Sequence, residues 1–470
     1  MRCVCSWMPQ ATVTIGERRL FALLLMAVLM TDFCAAQTVG STPSATTTLP
    51  KLDLELQAVL DDPAKPLASL SAVVIRDGKV VYQGYFGKRD IDAVNPARST
   101  AADGQTLYRV ASISKLVTAI GAMQLVEQKK LDLDADISQY LGFKVRNPNF
   151  PDAVISARML LSHTSSLRDA GGYSFAPEQS LQSVLDPKGE NYGAGEQWAA
   201  ASPVSDRAPG KYFDYVNLNW GVLGTVMEAL SGQRFDRLMK KAVLEPLRIP
   251  GNFNAEELSA NEIGHLAVLY RKRSNEVWDR NGPWVAQVDD YLGRLPLARP
   301  GLEHYRPGSN ATPFSPQGGL RVSVAGLARL MLLLLNGGEL DGVRLLQPTS
   351  VQQMLHEEWR HDAGKSNGDS YKGLFNAWGL GVQKFLDLGA PGRGDRLLAA
   401  GGLTGFGHLG FAYGLQSCFF FDPVKRNGLI YVIGGVGFDP ELDNGQHSSF
   451  NSWEEKVLDA LHRRAILKEP

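Results

Sequence analysis

Cysteine is scarce in this chain, and its distribution limits what can stabilise the fold. Of the 4 cysteines among 470 residues, Cys3, Cys5 and Cys34 fall within the first 36 positions, and Cys418 stands alone beyond them. A single thiol cannot form an intramolecular disulfide, so stability has to come from a packed apolar core. Cys418 precedes three phenylalanines and is expected to be a buried, unreactive side chain.

An excess of charge of one sign is also missing. The chain has 48 lysines and arginines against 49 aspartates and glutamates, a formal net charge of −1 at pH 7. No basic stripe supplies the electrostatic footprint that nucleic-acid binding needs. We therefore expect no nucleic-acid partner.

The apolar run near the start is too short for a stable membrane span. Residues 20–30 follow Arg18 and Arg19 and make up about half of the ~20 residues that cross a bilayer. Small residues end the segment at Ala36, as in a cleaved secretory signal. We expect a signal peptide over 1–36, cleavage near Ala36, and a periplasmic or secreted mature chain without a membrane span. The arginine pair leaves open whether the route is general or twin-arginine export.

Residues 37–51 are rich in Ser, Thr and Pro and read as a disordered linker, and residues 52–470 have the pattern of one globular domain. Two β-type runs, Ser71 to Ile75 and Val80 to Phe86, flank Asp77-Gly78, a strong hairpin signal. Amphipathic helical patterns then dominate from 112 to about 358.

Strand patterns return late, at 407–412, 415–421 and 429–433, before a final helix at about 452–466. Strands at both ends around a helical middle predict an α+β fold. Its antiparallel sheet is built from both chain ends and flanked by terminal helices, and a large helical lobe is inserted. Three long polar stretches, 168–210, 251–316 and 360–373, are expected to border a binding cleft.

Ser112 and Lys115 open an apolar helix and lie three residues apart, so their side chains share one helix face. The helix start favours negative charge on the Ser112 oxygen, and a desolvated lysine can accept its proton. Ser-x-x-Lys is weak support when considered alone, since a capping serine and a solvated lysine are its more frequent explanation.

A second motif, Tyr215-Val216-Asn217, follows a turn and opens another helix. Tyr215 can present a phenol that shuttles a proton, and Asn217 can offer an amide to a substrate carbonyl. The ordinary alternative is an asparagine cap beside a half-buried aromatic ring.

A third segment, residues 405–411, contains a formal Gly-x-Gly-x-x-Gly but leads into strands, so it does not fit a dinucleotide site. Its glycines, Gly410 among them, instead suggest close backbone approach to a ligand along a strand edge. The backbone N–H groups of Phe411 and Ser112 would then form an oxyanion hole. Taken alone, His408 is more often a structural histidine.

Together the three motifs resemble the class C β-lactamase-related branch of the β-lactamase and penicillin-binding protein superfamily, which includes DD-carboxypeptidases, D-aminopeptidases and carboxylesterases. The resemblance spans roughly residues 55–465 and includes Leu160 to Ser165 and Trp378 to Gly381. It implies a β-lactamase/transpeptidase-like fold and a serine hydrolase that uses no metal or cofactor. The implied substrate is an ester, a D-amino acid peptide or a β-lactam.

The resemblance also implies residue roles. Ser112 would be the acylated nucleophile, Lys115 its proton acceptor, Tyr215 the general base that serves deacylation, and Asn217 and His408 substrate-binding residues. His408-Leu409-Gly410 departs from the Lys-Thr-Gly usual in the β-lactamases of this family. It lacks their permanent charge and hydroxyl, so weak or no β-lactamase activity is expected.

Other classes fit less well. His356 and His361 are five apart, which on a helix separates them by about 140° and disfavours a zinc motif. No Gly-x-Ser-x-Gly elbow indicates an α/β-hydrolase. A penicillin-binding or peptidoglycan-sensing module that acylates without efficient turnover remains the alternative.

Overall fold

The hairpin predicted at Asp77-Gly78 is part of the main sheet in the computed structural model, which describes residues 49–469. Strands β1 (Ser69–Arg76) and β2 (Lys79–Asp90) pair antiparallel across it. Both turn residues have positive φ, 53° at Asp77 and 73° at Gly78. This combination matches the right-handed twist of the two strands and closes the hairpin tightly.

The part of the chain that the structure describes contains eleven α-helices and nineteen strands. The helices are α1 (Pro50–Leu60), α2 (Ile113–Glu127), α3 (Ser138–Leu141), α4 (Ala157–Leu161), α5 (Leu181–Leu185), α6 (Leu218–Ser231), α7 (Phe235–Met239), α8 (Ala260–Gly264), α9 (Val324–Leu335), α10 (Pro348–Leu355) and α11 (Ser452–Leu461). After the first hairpin, the strands are β3 (Thr100–Ala101), β4 (Tyr108–Arg109), β5 (Leu269–Ser274), β6 (Val277–Trp278), β7 (Trp284–Val288), β8 (Arg321–Val322), β9 (Glu339–Leu340), β10 (Val343–Arg344), β11 (Trp359–Arg360), β12 (Ala377–Trp378), β13 (Gln383–Phe385), β14 (Gly389–Ala390), β15 (Arg393–Gly394), β16 (Gly405–Ala412), β17 (Leu415–Asp422), β18 (Asn427–Ile433) and β19 (Gly435–Val436).

The main sheet joins the two ends of the described chain. Its nine strands run in the order β11-β12-β13-β16-β17-β18-β1-β2-β3, and β1 pairs antiparallel with β18. The helices α2 to α10 come from the chain between its first and last strand groups. The α+β class, the sheet built from both ends and the inserted helical region are therefore confirmed.

The two faces of the sheet bury different helices because side chains alternate along each strand. Ala72 and Val74 of β1 pack in the core formed by α1 and α11, where the free thiol of Cys418 is also buried. Val73 and Ile75 point to the opposite core, which contains α2, α6 and α9. Burial of each large apolar side chain contributes about 1.5–3 kcal/mol.

Some strands escape the sequence patterns. The segment 269–288, predicted as part of a polar stretch, contains β5, β6 and β7, and β19 pairs with β5 in parallel. The edge strands β11 to β13 have only two or three residues each. A strand of two or three residues is too short to show an alternating pattern. Pairing with the neighbouring strands determines where it forms.

The start of the chain needs one adjustment. Helix α1 begins at Pro50, so residues 50 and 51 belong to the folded part and not to the linker predicted over 37–51. The predicted signal peptide and linker residues 37–48 lie outside the described residues. Within residues 49–469, no helix combines the length and hydropathy needed to cross a membrane.

Candidate active site

Ser112 stands at the mouth of α2, directly after a strained residue. Ala111 has a φ of 48°, a left-handed value that is unfavourable for a residue with a Cβ. Ser112 occupies the N-cap position of α2, but its side chain makes no capping hydrogen bond. The hydroxyl is therefore available for another partner, and the capping alternative from the sequence does not describe it.

That partner is Lys115. Its Nζ lies 2.9 Å from Ser112 Oγ, 2.8 Å from Asn217 Oδ1 and 3.0 Å from the carbonyl oxygen of Gln317. The side chain is fully buried. Loss of solvation lowers the pKa of Lys115 from its ordinary value of 10.5 to about 7, although the negative charge of Asp169 opposes this shift. Near neutral pH, a large share of the Lys115 population is the free amine.

Tyr215 completes the group around Ser112. The Lys115 nitrogen lies 4.8 Å from the centre of its ring. The ring stacks on His163 at 4.5 Å and on Phe375 at 5.1 Å between centroids. Burial raises the pKa of Tyr215 well above its ordinary value of 10, and its hydrogen bond with Ser112 offsets only part of that increase. The phenol is thus protonated near neutral pH and can pass a proton on while receiving one.

Asn217 is held by a residue that the sequence did not point to. Asp169 Oδ2 accepts hydrogen bonds from the backbone N–H and from Nδ2 of Asn217, each at 2.9 Å. Asp169 Oδ1 accepts the backbone N–H of Leu218 at 2.9 Å, which caps the first turn of α6. The Asn217 amide is therefore oriented with its oxygen toward Lys115. Asp169 and Asn217 are far apart in sequence, and no local pattern links them.

His408 lies on β16 behind Tyr215, with ring centroids 6.2 Å apart, and packs edge-on against Trp378 at 5.5 Å. Its Nδ1 lies 2.7 Å from the carbonyl oxygen of Leu409, which places the ring proton there. Nε2 is buried without a partner among the described residues. Burial lowers the pKa of His408 to about 3, so the ring is neutral and carries no charge for a substrate carboxylate.

Gly410 lets β16 approach the backbone that leads into Ser112. A Cβ at Gly410 would lie 2.3 Å from Ser417 Oγ, 2.6 Å from the Val110 carbonyl oxygen and 3.4 Å from Ala111 Cβ. The pairing of β13 with β16 ends at Gly407. Residues 408–411 therefore run past the start of α2, and Phe411 lines the same cleft as Ser112.

The cleft itself has a volume of about 790 Å³. It is lined by Ser112, Tyr215, Asn217, Gly410 and Phe411, so the structure brings these predicted site residues together. His408 does not line it but lies one layer behind. All three predicted polar stretches contribute to its wall, through Tyr173, Ser315 and Lys372 among others. Sequence reasoning missed Arg109, Tyr413 and Gln317, whose positions depend on the packing of separate elements.

A helix-mouth serine, a buried amine one turn away and a phenol in contact with both can together activate a hydroxyl and return its proton. These three groups are the ones that a serine hydrolase needs. The chain belongs to the beta-lactamase family, whose model matches residues 56–448.

Curated relatives match over parts of their length. Esterase EstB of Burkholderia gladioli is 29% identical over 202 residues, 42% of this chain and 50% of that protein. ML-236A carboxylate methylbutanoyltransferase mlcH of Penicillium citrinum is 27% identical over 231 residues, 46% of this chain and 54% of that protein. Protein flp of Staphylococcus aureus strain N315 is 22% identical over 200 residues, 43% and 37% respectively. The chain thus spans about half, or less, of these relatives.

Solved structures share the fold over most of the chain. A D-amino acid amidase from Ochrobactrum anthropi has a TM-score of 0.61 at 17% identity and covers 89% of this chain and 100% of its own. An octameric penicillin-binding protein homologue from Pyrococcus abyssi has a TM-score of 0.60 at 20% identity and covers 90% and 78%. The predicted β-lactamase/transpeptidase-like fold is confirmed.

Proposed function

We propose that this protein is an exported serine hydrolase that cleaves an ester or amide through an acyl-enzyme on Ser112. The contact of 2.9 Å between Lys115 Nζ and Ser112 Oγ supports this most directly, because the amine has a pKa of about 7 and can accept the hydroxyl proton. The substrate class is that of a carboxylesterase or of a D-amino acid peptidase, with weak or no β-lactamase activity.

In the first half-reaction Ser112 Oγ attacks the carbonyl carbon while its proton passes to Lys115. The oxyanion that forms is stabilised by the backbone N–H groups of Ser112 and Phe411. The tetrahedral intermediate collapses, and the leaving oxygen or nitrogen takes a proton from Tyr215, which Lys115 replenishes. Water then attacks the acyl-enzyme, with its proton passing through Tyr215 to Lys115. As the bond between Ser112 Oγ and the acyl carbon breaks, Lys115 returns that proton to Ser112 Oγ, and the free acid leaves.

Two observations bear on substrate preference. The similarity to an esterase over 42% of the chain favours an ester. The neutral His408 at the third motif disfavours substrates whose carboxylate must be paired there. Export rests on the N-terminal sequence, and amino-terminal sequencing of the mature protein, expected to start after Ala36, tests it.

The test of the catalytic proposal is hydrolysis of 4-nitrophenyl acetate by the wild type and by Ser112→Ala. We expect steady turnover in the wild type, none in the variant, and labelling of Ser112 by a fluorophosphonate, located by mass spectrometry. Ser259→Ala is the matched control, since Ser259 caps α8 with its side chain. The Ser259→Ala variant should lose about 1 kcal/mol of stability but retain activity. Ser112→Ala should lose activity but retain its stability.

Two other outcomes would reject the proposal. A stable adduct on Ser112 without turnover would identify a module that senses penicillin or peptidoglycan. Turnover that survives in Ser112→Ala would place the nucleophile elsewhere.

A further inference from the structure

One guanidinium on the cleft wall has no carboxylate to balance it. Arg109 ends β4, three residues before Ser112, and lines the same cleft. Its Nε donates to the Gly318 carbonyl at 3.2 Å. Among residues 49–469, no carboxylate lies within ion-pair distance of Arg109, and its two Nη groups have no hydrogen-bond partner. Five N–H donors are thus present and most of them are available to a ligand.

The neighbouring charges leave this cation uncompensated. Arg109 is opposite Arg321 in the β4–β8 pair, and Arg321 makes a bidentate ion pair with Asp289 at 3.0 and 2.7 Å. Two guanidiniums therefore share one carboxylate, which leaves a net charge of about +1 for this group of three side chains. Burial and the adjacent Arg321 lower the pKa of Arg109, so an anion beside it would be stabilised.

Exposed aromatic rings surround the same position. The Arg109 guanidinium carbon lies 4.9 Å from the centre of the Tyr413 ring. Tyr413, Phe411 and Tyr173 all line the cleft and are 40%, 58% and 41% exposed. Tyr413 also has a φ of 57° in the β16–β17 turn, where a bulky side chain is unfavourable. Strain held at a cleft wall is a frequent mark of ligand contact.

The course of β16 tells which part of a substrate reaches Arg109. Tyr215, the proton donor for the leaving group, lies beside His408 in the middle of this strand. Gly410, two residues further along, abuts the backbone that leads into Ser112. Ala412 is four residues, or about 13 Å, beyond His408 and adjoins Tyr413, which contacts Arg109. The leaving group thus lies toward Tyr215 and the acyl group toward Arg109.

We propose that Arg109, together with Tyr413, Phe411 and Tyr173, forms a subsite for a carboxylate carried by the acyl part of the substrate. The planar fork of the guanidinium matches a carboxylate, and the aromatic rings cover the apolar or flat part of the acyl group. The proposal rests on the function proposed above and adds the substrate class: esters or amides of an acid that bears a second, ionised carboxyl group.

The test compares kcat/KM for 4-nitrophenyl 4-carboxybenzoate and 4-nitrophenyl 4-methylbenzoate, which share a leaving group and differ in the acyl charge. A para carboxylate cannot attack its own ester, so background hydrolysis stays low. We expect the wild type to prefer the anionic ester. Arg109→Gln should reduce the ratio of the two kcat/KM values by about 10- to 100-fold, and Arg109→Lys by less.

A matched control is Arg207→Gln, since Arg207 also stacks on a tyrosine, Tyr212, at 4.8 Å but does not line the cleft. It should leave the ratio unchanged. A third ester, 3-carboxy-4-nitrophenyl benzoate, places the charge on the leaving group. Arg109→Gln should lower kcat/KM for this ester less than for 4-nitrophenyl 4-carboxybenzoate.

Each outcome is informative. An unchanged ratio in Arg109→Gln would overturn the subsite while leaving the hydrolase intact. If Arg109→Gln lowers kcat/KM only for the ester whose charge is on the leaving group, the assignment of Arg109 to the acyl side is wrong. Hydrolysis of neither ester by the wild type would instead reject the proposed function.

Discussion

The carboxylate of Asp169 binds Asn217 twice, through its backbone N–H and its side-chain Nδ2, at 2.9 Å each. The same carboxylate caps α6 through Leu218 N–H. Asn217 in turn accepts a hydrogen bond from Lys115. The Asp169 carboxylate thus links the start of α6 to the position and charge of the Lys115 amine beside Ser112.

Asp169→Asn should change both rate and pH dependence. An amide cannot accept all three hydrogen bonds, so Asn217 loses its fixed orientation and kcat/KM should fall by about tenfold. Removal of the negative charge should also lower the pKa of Lys115, because in the wild type the Asp169 charge raises that pKa. The midpoint of the pH–rate profile should therefore move to lower pH. Asp206→Asn, an exposed turn residue that accepts Ala208 N–H, serves as control, and a profile that does not move would separate Asp169 from Lys115.

The wild-type profile should report Lys115 itself. Its amine is active when neutral, and its pKa is about 7, so kcat/KM for 4-nitrophenyl acetate should rise with pH around a midpoint near 7. His408, with a pKa of about 3, stays neutral over that range and should add no second limb. Measurements between pH 5 and 9 check this. A midpoint above pH 9 would mean that Lys115 remains charged in the folded protein.

Lys115→Met should reduce acylation by about 10²- to 10⁴-fold and should alter the pH dependence of stability. The folded pKa of Lys115 lies below the unfolded value of 10.5, so burial costs stability below pH 7, and this cost disappears as pH rises from about 7 to 10.5. Denaturant unfolding should show the wild type gaining up to about 4 kcal/mol relative to Lys115→Met over that window.

The exposed Lys79 provides the control for that experiment. Lys79→Met should change the free energy of unfolding by one small amount that is the same at every pH. If the difference in unfolding free energy between the wild type and Lys115→Met does not change between pH 7 and 10, Lys115 is solvated.

Gly410→Ala tests the close approach of β16 to the nucleophile. The new Cβ would lie 2.3 Å from Ser417 Oγ and 2.6 Å from the Val110 carbonyl oxygen, so strand or helix must shift. We expect a loss of at least tenfold in kcat/KM and about 1–3 kcal/mol of stability. Gly264→Ala has no heavy atom within 4 Å of its Cβ and should retain full activity. An active, stable Gly410→Ala would show that the strand can lie further from Ser112.

Cephalosporin hydrolysis should be weak compared with that of small esters. The cephalosporin carboxylate lies on the side of the leaving nitrogen, where the structure has the neutral His408 and no ammonium in the place of the third motif. A panel of one cephalosporin and one aryl ester, compared by kcat/KM, measures this. Efficient cephalosporin turnover would contradict the interpretation of His408.

Much of the site was predictable because its motifs are local. Ser112 and Lys115 share one helix turn, and a helical pattern is enough to bring them together. The hairpin at Asp77-Gly78 follows likewise from turn chemistry, and helix α9 (Val324–Leu335) lies in the region where helical periodicity dominates. The roles assigned to Ser112, Lys115, Tyr215, Asn217 and His408 remain predictions, although the structure brings these side chains together.

What the sequence by itself determined was therefore the fold class, the longer elements and their order, and the side chains that are candidates for the chemistry. Only the tertiary structure decided the charge state of Lys115, since burial lowers its pKa, and only it brought Asp169 beneath Asn217 and Arg109 to the cleft wall. The physical reason is that periodicity and capping act over a few residues, whereas desolvation and ion pairing depend on every element packed around a group.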